Sequence, residues 1–121
     1  LQQNFQTDEF CKIAVPVSDG LLFLEIFSIT QLAAEGAYTH IYLSDGSKLL
    51  VSKKLKFFED ILHKRKSFFR IHRSHLINLN FITKYNRLES YIEMDSGISL
   101  PVSKERKKEF ETILNEIRIK K

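Results

Sequence analysis

Residues 68–78 read FFRIHRSHLIN, and this stretch carries more information about the fold than any other part of the chain. Aromatic and β-branched residues favour extended backbone, so residues 68–73 predict a short strand. Side chains alternate across a strand, which places Phe69 and Ile71 on one face and Phe68 on the other. We therefore expect Phe69 and Ile71 in the core, Phe68 in a second packed layer, and a one-turn excursion over residues 74–78.

The sequence before this stretch reads mostly as strands separated by turns. Residues 12–17 alternate, residues 21–27 form an apolar run typical of a buried strand, and Ser18-Asp19-Gly20 between them is a turn signal. Residues 28–31 fit a capping box, which predicts a short helical turn. A hairpin is predicted at 38–43 and 48–51, followed by a helix at 53–63 with Ser52 as its cap.

The sequence after it predicts a second hairpin and a closing helix. Strands are expected at 82–88, 91–94 and 98–102, with Asp95-Ser96-Gly97 as a turn. Ser103 is the predicted cap of a helix over 104–119, whose apolar stripe consists of Phe110, Ile113, Leu114 and Ile117. Seven or eight short strands without crossover helices predict antiparallel sheets, so the fold class is mainly β with two short-to-medium helices.

Length and composition agree with one domain. The chain has 121 residues, of which 43% are hydrophobic, and no run approaches the roughly 18–20 apolar residues of a membrane helix. The lone Cys11 excludes an internal disulfide, and no secretion signal is visible. We expect a cytoplasmic domain over residues 12–121 with residues 1–11 as a linker or arm. Because the chain lacks an initiating Met, we also expect it to be a piece of a longer protein.

Charge is distributed unevenly along the chain. Residues 48–87 carry eleven basic side chains against two acidic ones, whereas residues 1–47 carry one against six. Such a block is typical of a surface that binds a polyanion, although a solvated face without a partner would look the same.

Motifs for catalysis or metal binding are not found in the sequence. The four glycines form no phosphate-binding loop, and no nucleophile motif is present, so no enzyme is predicted. His72 and His75 lack the further ligands that a zinc site needs, which predicts no metal and no cofactor. The two predicted helices are some forty residues apart and cannot form a helix-turn-helix.

An ordered set of motifs resembles the LytTR family, the DNA-binding output domain of many bacterial response regulators. Residues 68–78 match the family pattern F-x-R-x-H-R-S-x-L-[VI]-N. Residues 34–38 resemble its E-[GA]-x-x-[YN] segment, and residues 43–46 resemble its hairpin. Residues 100–104, LPVSK, resemble its closing [LI]-P-V-S-[RK] motif. The likeness covers about residues 12–118.

The resemblance implies an elongated stack of antiparallel sheets that contacts DNA through loops instead of a recognition helix. Carried over by motif, the base-reading candidates are Tyr38, Thr39, His40, Arg73 and Lys104. Lys104 stands where the family commonly has Arg, and a Lys cannot make the two-pronged contact to guanine. The candidates for phosphate anchoring are Lys53, Lys54, Lys64, Arg65, Lys66, Arg70, Ser74, Ser103, Arg106 and Lys107.

The function expected from these observations is sequence-specific binding of double-stranded DNA and transcription regulation, as the C-terminal output domain of a two-component response regulator. The partners implied are paired direct repeats in promoters, an N-terminal receiver domain and its histidine kinase, with no membrane. No coiled-coil heptad or long apolar edge is visible, so the free fragment is predicted to be monomeric. The alternative is an RNA or single-strand binding module that stacks bases on Tyr38, Tyr42 and Tyr85.

Overall fold

The computed structural model describes residues 11–119, which form three antiparallel sheets and two helices. The predicted linker therefore lies outside the described residues except for Cys11, whose carbonyl accepts a hydrogen bond from the Ile26 amide at 2.7 Å. The helices are α1, Leu55–Leu62, and α2, Lys104–Asn115. The strands are β1 Lys12–Val17, β2 Gly20–Glu25, β3 Ile29–Glu35, β4 Tyr38–Leu43, β5 Lys48–Val51, β6 Phe68–His72, β7 His75–Asn78, β8 Ile82–Asn86, β9 Tyr91–Met94 and β10 Ser99–Pro101.

The five-stranded sheet is the middle layer of the fold. Its strand order is β5-β4-β3-β7-β6, while β1-β2 forms a separate hairpin and β10-β9-β8 a separate three-stranded sheet. All pairings among these strands are antiparallel, as the sequence predicted. The mainly β stack of antiparallel sheets with two helices is therefore confirmed.

Two cores lie on opposite faces of the five-stranded sheet. The first core is built with the β1-β2 hairpin and α1, and includes Phe68, Leu32, Ile41, Phe58 and Val15. The second core is built with the three-stranded sheet and α2, and consists of Phe69, Ile71, Ile77, Ile92, Met94, Leu100, Val102 and Phe110. The alternation predicted for residues 68–71 is confirmed, because Phe68 lies in the first core and its neighbour Phe69 in the second.

Five local predictions are wrong. Ile29–Glu35 is a strand and not a capped turn, since Ser28 closes a short 3-10 turn by donating to the Glu25 carbonyl at 2.8 Å. His75–Asn78 is a strand between β3 and β6, and the excursion follows it at residues 79–81. The helix α1 begins at Leu55, with Lys54 and not Ser52 before it.

The fourth error concerns the apolar run 21–27. Because β2 pairs only with β1, one face of the hairpin packs on the first core and the other faces solvent. Leu24 is buried, whereas Leu21 and Phe23 are more than half exposed. At the end of α2, Ile117 is likewise 71% exposed and does not extend the apolar stripe, because the helix stops at Asn115.

Tyr85 fixes α2 against the three-stranded sheet. Its ring meets the ring of Phe110 edge-on at 5.1 Å, and its hydroxyl donates to the Glu111 carboxylate at 2.6 Å. Burial and the neighbouring carboxylate raise the pKa of Tyr85, so the hydroxyl keeps its proton and remains the donor. This contact and the packing of Phe110 on Phe69 hold the body of α2 against the three-stranded sheet and β6.

Candidate nucleic-acid interface

Five chain segments meet at one end of the five-stranded sheet. The turns β3–β4 and β6–β7 are joined by a hydrogen bond from the Ala34 amide to the Ser74 carbonyl at 2.9 Å. The segment between β5 and α1 is attached to β4, because the Thr39 hydroxyl donates to the Lys53 carbonyl at 2.7 Å. We call this end the turn edge, and it comprises residues 35–38, 52–54, 73–74, 87–90 and 103–104.

The start of α2 joins the same edge from the second core. The Ser103 amide donates to the Ile71 carbonyl at 2.8 Å, which places Lys104 beside the end of β6. Lys107 donates to the Arg87 carbonyl at 2.8 Å and to the Ser90 hydroxyl at 3.0 Å, which ties the β8–β9 turn to the first turns of α2. Residues more than sixty positions apart in sequence therefore share one surface.

Three of the five base-reading candidates have side chains exposed on this edge. Arg73, Lys104 and Tyr38 are all exposed. His40 lies two residues into β4, is half-buried, and binds the carboxylate of Glu35 through Nε2. Its Nδ1 is buried without a partner among the described residues. The edge therefore presents a guanidinium, an ammonium and a phenol.

Thr39 has to be removed from the set of base-reading candidates. Its side chain is fully buried, and its hydroxyl is used within the protein by the bond to the Lys53 carbonyl. It fastens the β5–α1 segment to β4, which is a structural role. The sequence could not show this, because alternation in β4 gives the face of a residue but not which face is covered.

The candidates for phosphate anchoring divide into four groups. Lys53 and Lys54 are exposed on the turn edge, and Lys53 also lies 5.1 Å from the Phe57 ring centre. In the second group, Arg70 binds Glu59 at 2.8 Å and Lys107 binds the β8–β9 turn, so both serve the protein's own structure, while the hydroxyl oxygen of Ser103 is buried with no partner among the described residues. Ser74 and Arg106 are half-buried at the β6–β7 turn and in the first turn of α2.

The fourth group, Lys64, Arg65 and Lys66, lies at the opposite end of β6. These residues precede Phe68, whereas Arg73 follows His72, so the whole length of β6 separates them. A five-residue strand is about 16 Å long. The structure therefore does not bring the most basic run of the sequence to the turn edge.

Arg87 is a candidate that the sequence reasoning missed. It is exposed in the β8–β9 turn and lies 3.5 Å from the Glu111 carboxylate. A signal was present, because a basic residue in the loop of a predicted hairpin is placed at a strand end. What the sequence could not supply was that this hairpin ends beside α2.

No group of three or more His, Cys, Asp or Glu side chains is placed to hold a metal ion within residues 11–119. Across the same residues, no helix is long and apolar enough to cross a membrane. The fold and the turn edge together define a mainly β domain in which exposed cations from turns and from the start of one helix share one surface.

The chain belongs to the LytTR family of DNA-binding domains. The family model described as "LytTr DNA-binding domain" matches residues 19–115. A solved LytTr DNA-binding domain from Bacillus cereus superposes with a TM-score of 0.68 at 24% identity, over 86% of this chain and 96% of that chain, which shows the same fold.

Two curated relatives are longer proteins. Both are called "Sensory transduction protein LytT", one from Bacillus anthracis and one from Bacillus cereus. Each is 28% identical to this chain over 118 residues. The match covers 89% of this chain and 44% of each relative, so the chain spans less than half of their length.

Proposed function

We propose that this domain binds double-stranded DNA in a sequence-specific manner through the turn edge and so regulates transcription. The observation that carries the proposal is the meeting of Arg73 and Lys104 on one exposed edge, although one lies in the β6–β7 turn and the other at the start of α2. An arginine at the tip of a tight turn projects its planar fork outward, which suits bidentate contact to guanine in the major groove. Lysine ammonium groups around it suit the phosphates that flank a groove.

In this proposal Arg73 reads bases and Lys104 contributes a weaker, point-like contact. Tyr38 and His40 stand beside them on the β3–β4 turn and at the start of β4. Lys53, Lys54 and Arg87 contact phosphates, which position the domain without carrying sequence information. Arg73 and Lys104 both border the end of β6, because Ser103 is bonded to Ile71, so both could enter the same groove.

We further propose that the domain is the output part of a two-component response regulator. The support is the family and the greater length of the curated relatives, whose name describes sensory transduction. A receiver domain and its histidine kinase would then supply the signal from outside this chain. We expect the free domain to be monomeric and two copies to meet on paired direct repeats.

Single-strand binding is less well supported by the structure. Tyr85 is packed against Phe110 and bonded to Glu111, so its ring is not available to a base. Tyr42 is half-buried with Lys48 positioned over its ring at 5.6 Å. Of the three tyrosines required by that alternative, Tyr38 is the one exposed at the turn edge.

One competition experiment tests the proposed function. A labelled duplex recovered by selection from a random library is bound to the domain, and unlabelled cognate duplex, random duplex and single strand compete for it. We expect competition in that order, with the specific duplex at least a thousandfold better than the random one. Sedimentation of the same samples should show monomer when free and two copies on a duplex with two half-sites. Equal competition by the single strand would contradict the proposal.

The placement of the lysines predicts two different salt dependences. Lys54→Ala should lower the slope of log affinity against log salt by about one unit, since each phosphate contact releases about one counterion. Lys66→Ala removes the same charge at the opposite end of β6 and should leave the slope unchanged. Titrations of cognate and random duplex across a salt series measure both. If Lys66→Ala lowers the slope of log affinity against log salt as much as Lys54→Ala does, the DNA also contacts the end of β6 opposite the turn edge.

A further inference from the structure

Two side chains of β6, His72 and Arg70, hold the β6–β7 turn that carries Arg73. The Ser74 amide donates to Nδ1 of His72 at 3.1 Å, which spans the residue between them. Arg70 holds the backbone of the same turn from the other side, donating from Nε to the His72 carbonyl at 3.2 Å and from Nη2 to the Arg73 carbonyl. The conformation that presents Arg73 therefore depends on two side chains of β6.

The Arg70 contact is itself fixed before any DNA arrives. Nη1 of Arg70 donates to the Glu59 carboxylate of α1 at 2.8 Å, and the two side chains are only 14% and 25% exposed. A turn held in this way keeps its shape in the free protein, so little ordering cost remains when it binds.

The bond to Ser74 sets a condition on the protonation of His72. A nitrogen that accepts a hydrogen bond must carry a lone pair, so the neutral ring has its proton on Nε2. A protonated imidazole carries N–H groups on both nitrogens and cannot accept. Protonation of His72 would therefore break the bond that closes the turn and add positive charge next to Arg70 and Arg73.

The groups around His72 do not offer it a free counter-charge. The nearest ring is His75, with ring centres 5.4 Å apart, and burial together with the neighbouring His72 lowers the pKa of His75. Ala33 of β3 pairs with His75 on one side and with His40 of β4 on the other. The carboxylates of Glu35 and Glu59 are already engaged, since Glu35 is bonded to His40 and Glu59 is bonded to Arg70. The element packed on the other side, α2, begins with the exposed residues Lys104 and Glu105.

We propose that His72 is a positioning residue for Arg73, which acts through a neutral Nδ1, and that protonation of His72 releases the turn and weakens base reading. This inference rests on the proposed function, since it assumes that Arg73 reads a base. It adds that discrimination between DNA sequences depends on pH.

The expected result is a loss of discrimination as pH falls. The ratio of cognate to random affinity should fall about fivefold between pH 8 and pH 5, which corresponds to one lost hydrogen bond. Affinity for random duplex should stay constant or rise, because an added positive charge attracts phosphates. Simple unfolding in acid would instead weaken binding to both duplexes.

The sharpest variant is His72→Asn. The amide oxygen of asparagine can accept the Ser74 bond near the place of Nδ1, and it does not titrate. At every pH, this variant should show the ratio of cognate to random affinity that the unmodified chain shows at pH 8. His72→Ala should lower the ratio at every pH. The matched control is His63→Asn, an exposed histidine just after α1, bonded to the Asp60 carbonyl at 2.7 Å, which should keep the full pH profile.

A second measurement does not involve DNA. Long-range proton–nitrogen correlation spectra of the free domain report which ring nitrogen carries the proton, and for neutral His72 we expect Nε2. A proton on Nδ1, or an unchanged pH profile in His72→Asn, would overturn this inference and leave the proposed function standing. If Arg73→Ala weakens cognate and random duplex equally, the base-reading role fails and this inference fails with it.

Discussion

Replacement of Arg73 by alanine should weaken binding to the cognate duplex by about 1–3 kcal/mol more than binding to random duplex. The reason is that a bidentate arginine–guanine contact discriminates by that amount, whereas a phosphate contact is the same on every sequence. Arg73 is exposed at the tip of a turn whose backbone is held by Arg70 and His72, so its loss should remove a preformed contact. Titration of both duplexes at one salt concentration measures the difference.

Two comparisons make this test selective. Lys104→Ala should show a smaller difference between the duplexes, because an ammonium group acts closer to a point charge. Arg118→Ala removes the same charge as Arg73→Ala from the exposed segment after α2, away from the turn edge, and should affect neither duplex strongly. Equal weakening of both duplexes by Arg73→Ala would reduce Arg73 to a phosphate contact.

Replacement of Phe110 by alanine should lower the free energy of unfolding by about 3–5 kcal/mol, the usual cost of truncating a buried aromatic residue. Phe110 is fully buried in the second core, stacked on Phe69 at 5.4 Å and in edge contact with Tyr85. It is the one residue of α2 that is fully buried, so the helix depends on it for its attachment to β6.

Urea unfolding of the free domain measures this loss, with Ile117→Ala as the control beyond the end of the same helix. Ile117 is 71% exposed, so its truncation should change stability by less than about 0.5 kcal/mol. A Phe110 variant that loses less than about 1 kcal/mol would contradict the packing described for the second core. Because the start of α2 carries Lys104, the variant should also bind cognate DNA less tightly at temperatures where it is still folded.

The site was only partly accessible from the sequence. The motif in residues 68–78 and the LPVSK segment pointed to Arg73 and Lys104, and the structure places both on one exposed edge. Charge density alone favoured Lys64, Arg65 and Lys66, which lie at the other end of β6. A run of charge is visible in one dimension, but the end of a sheet to which it belongs depends on how the strands are paired.

The sequence by itself determined those features that depend on neighbouring residues. Alternation assigned Phe68 and Phe69 to different cores, and turn residues located the hairpin of β4 and β5 at its observed bounds. Both follow from local rules, because the direction of a side chain along a strand and the backbone of a tight turn are set within a few residues.

The tertiary structure alone decided which surfaces are covered. Thr39 is buried and donates its hydroxyl to the Lys53 carbonyl, and Leu21 and Phe23 are exposed because the β1-β2 hairpin has one packed face. The segment His75–Asn78 becomes a strand because it is inserted between β3 and β6, although its local sequence suggested a turn. Burial and strand pairing are contacts between residues far apart in the chain, and their free energy outweighs local preference wherever the two disagree.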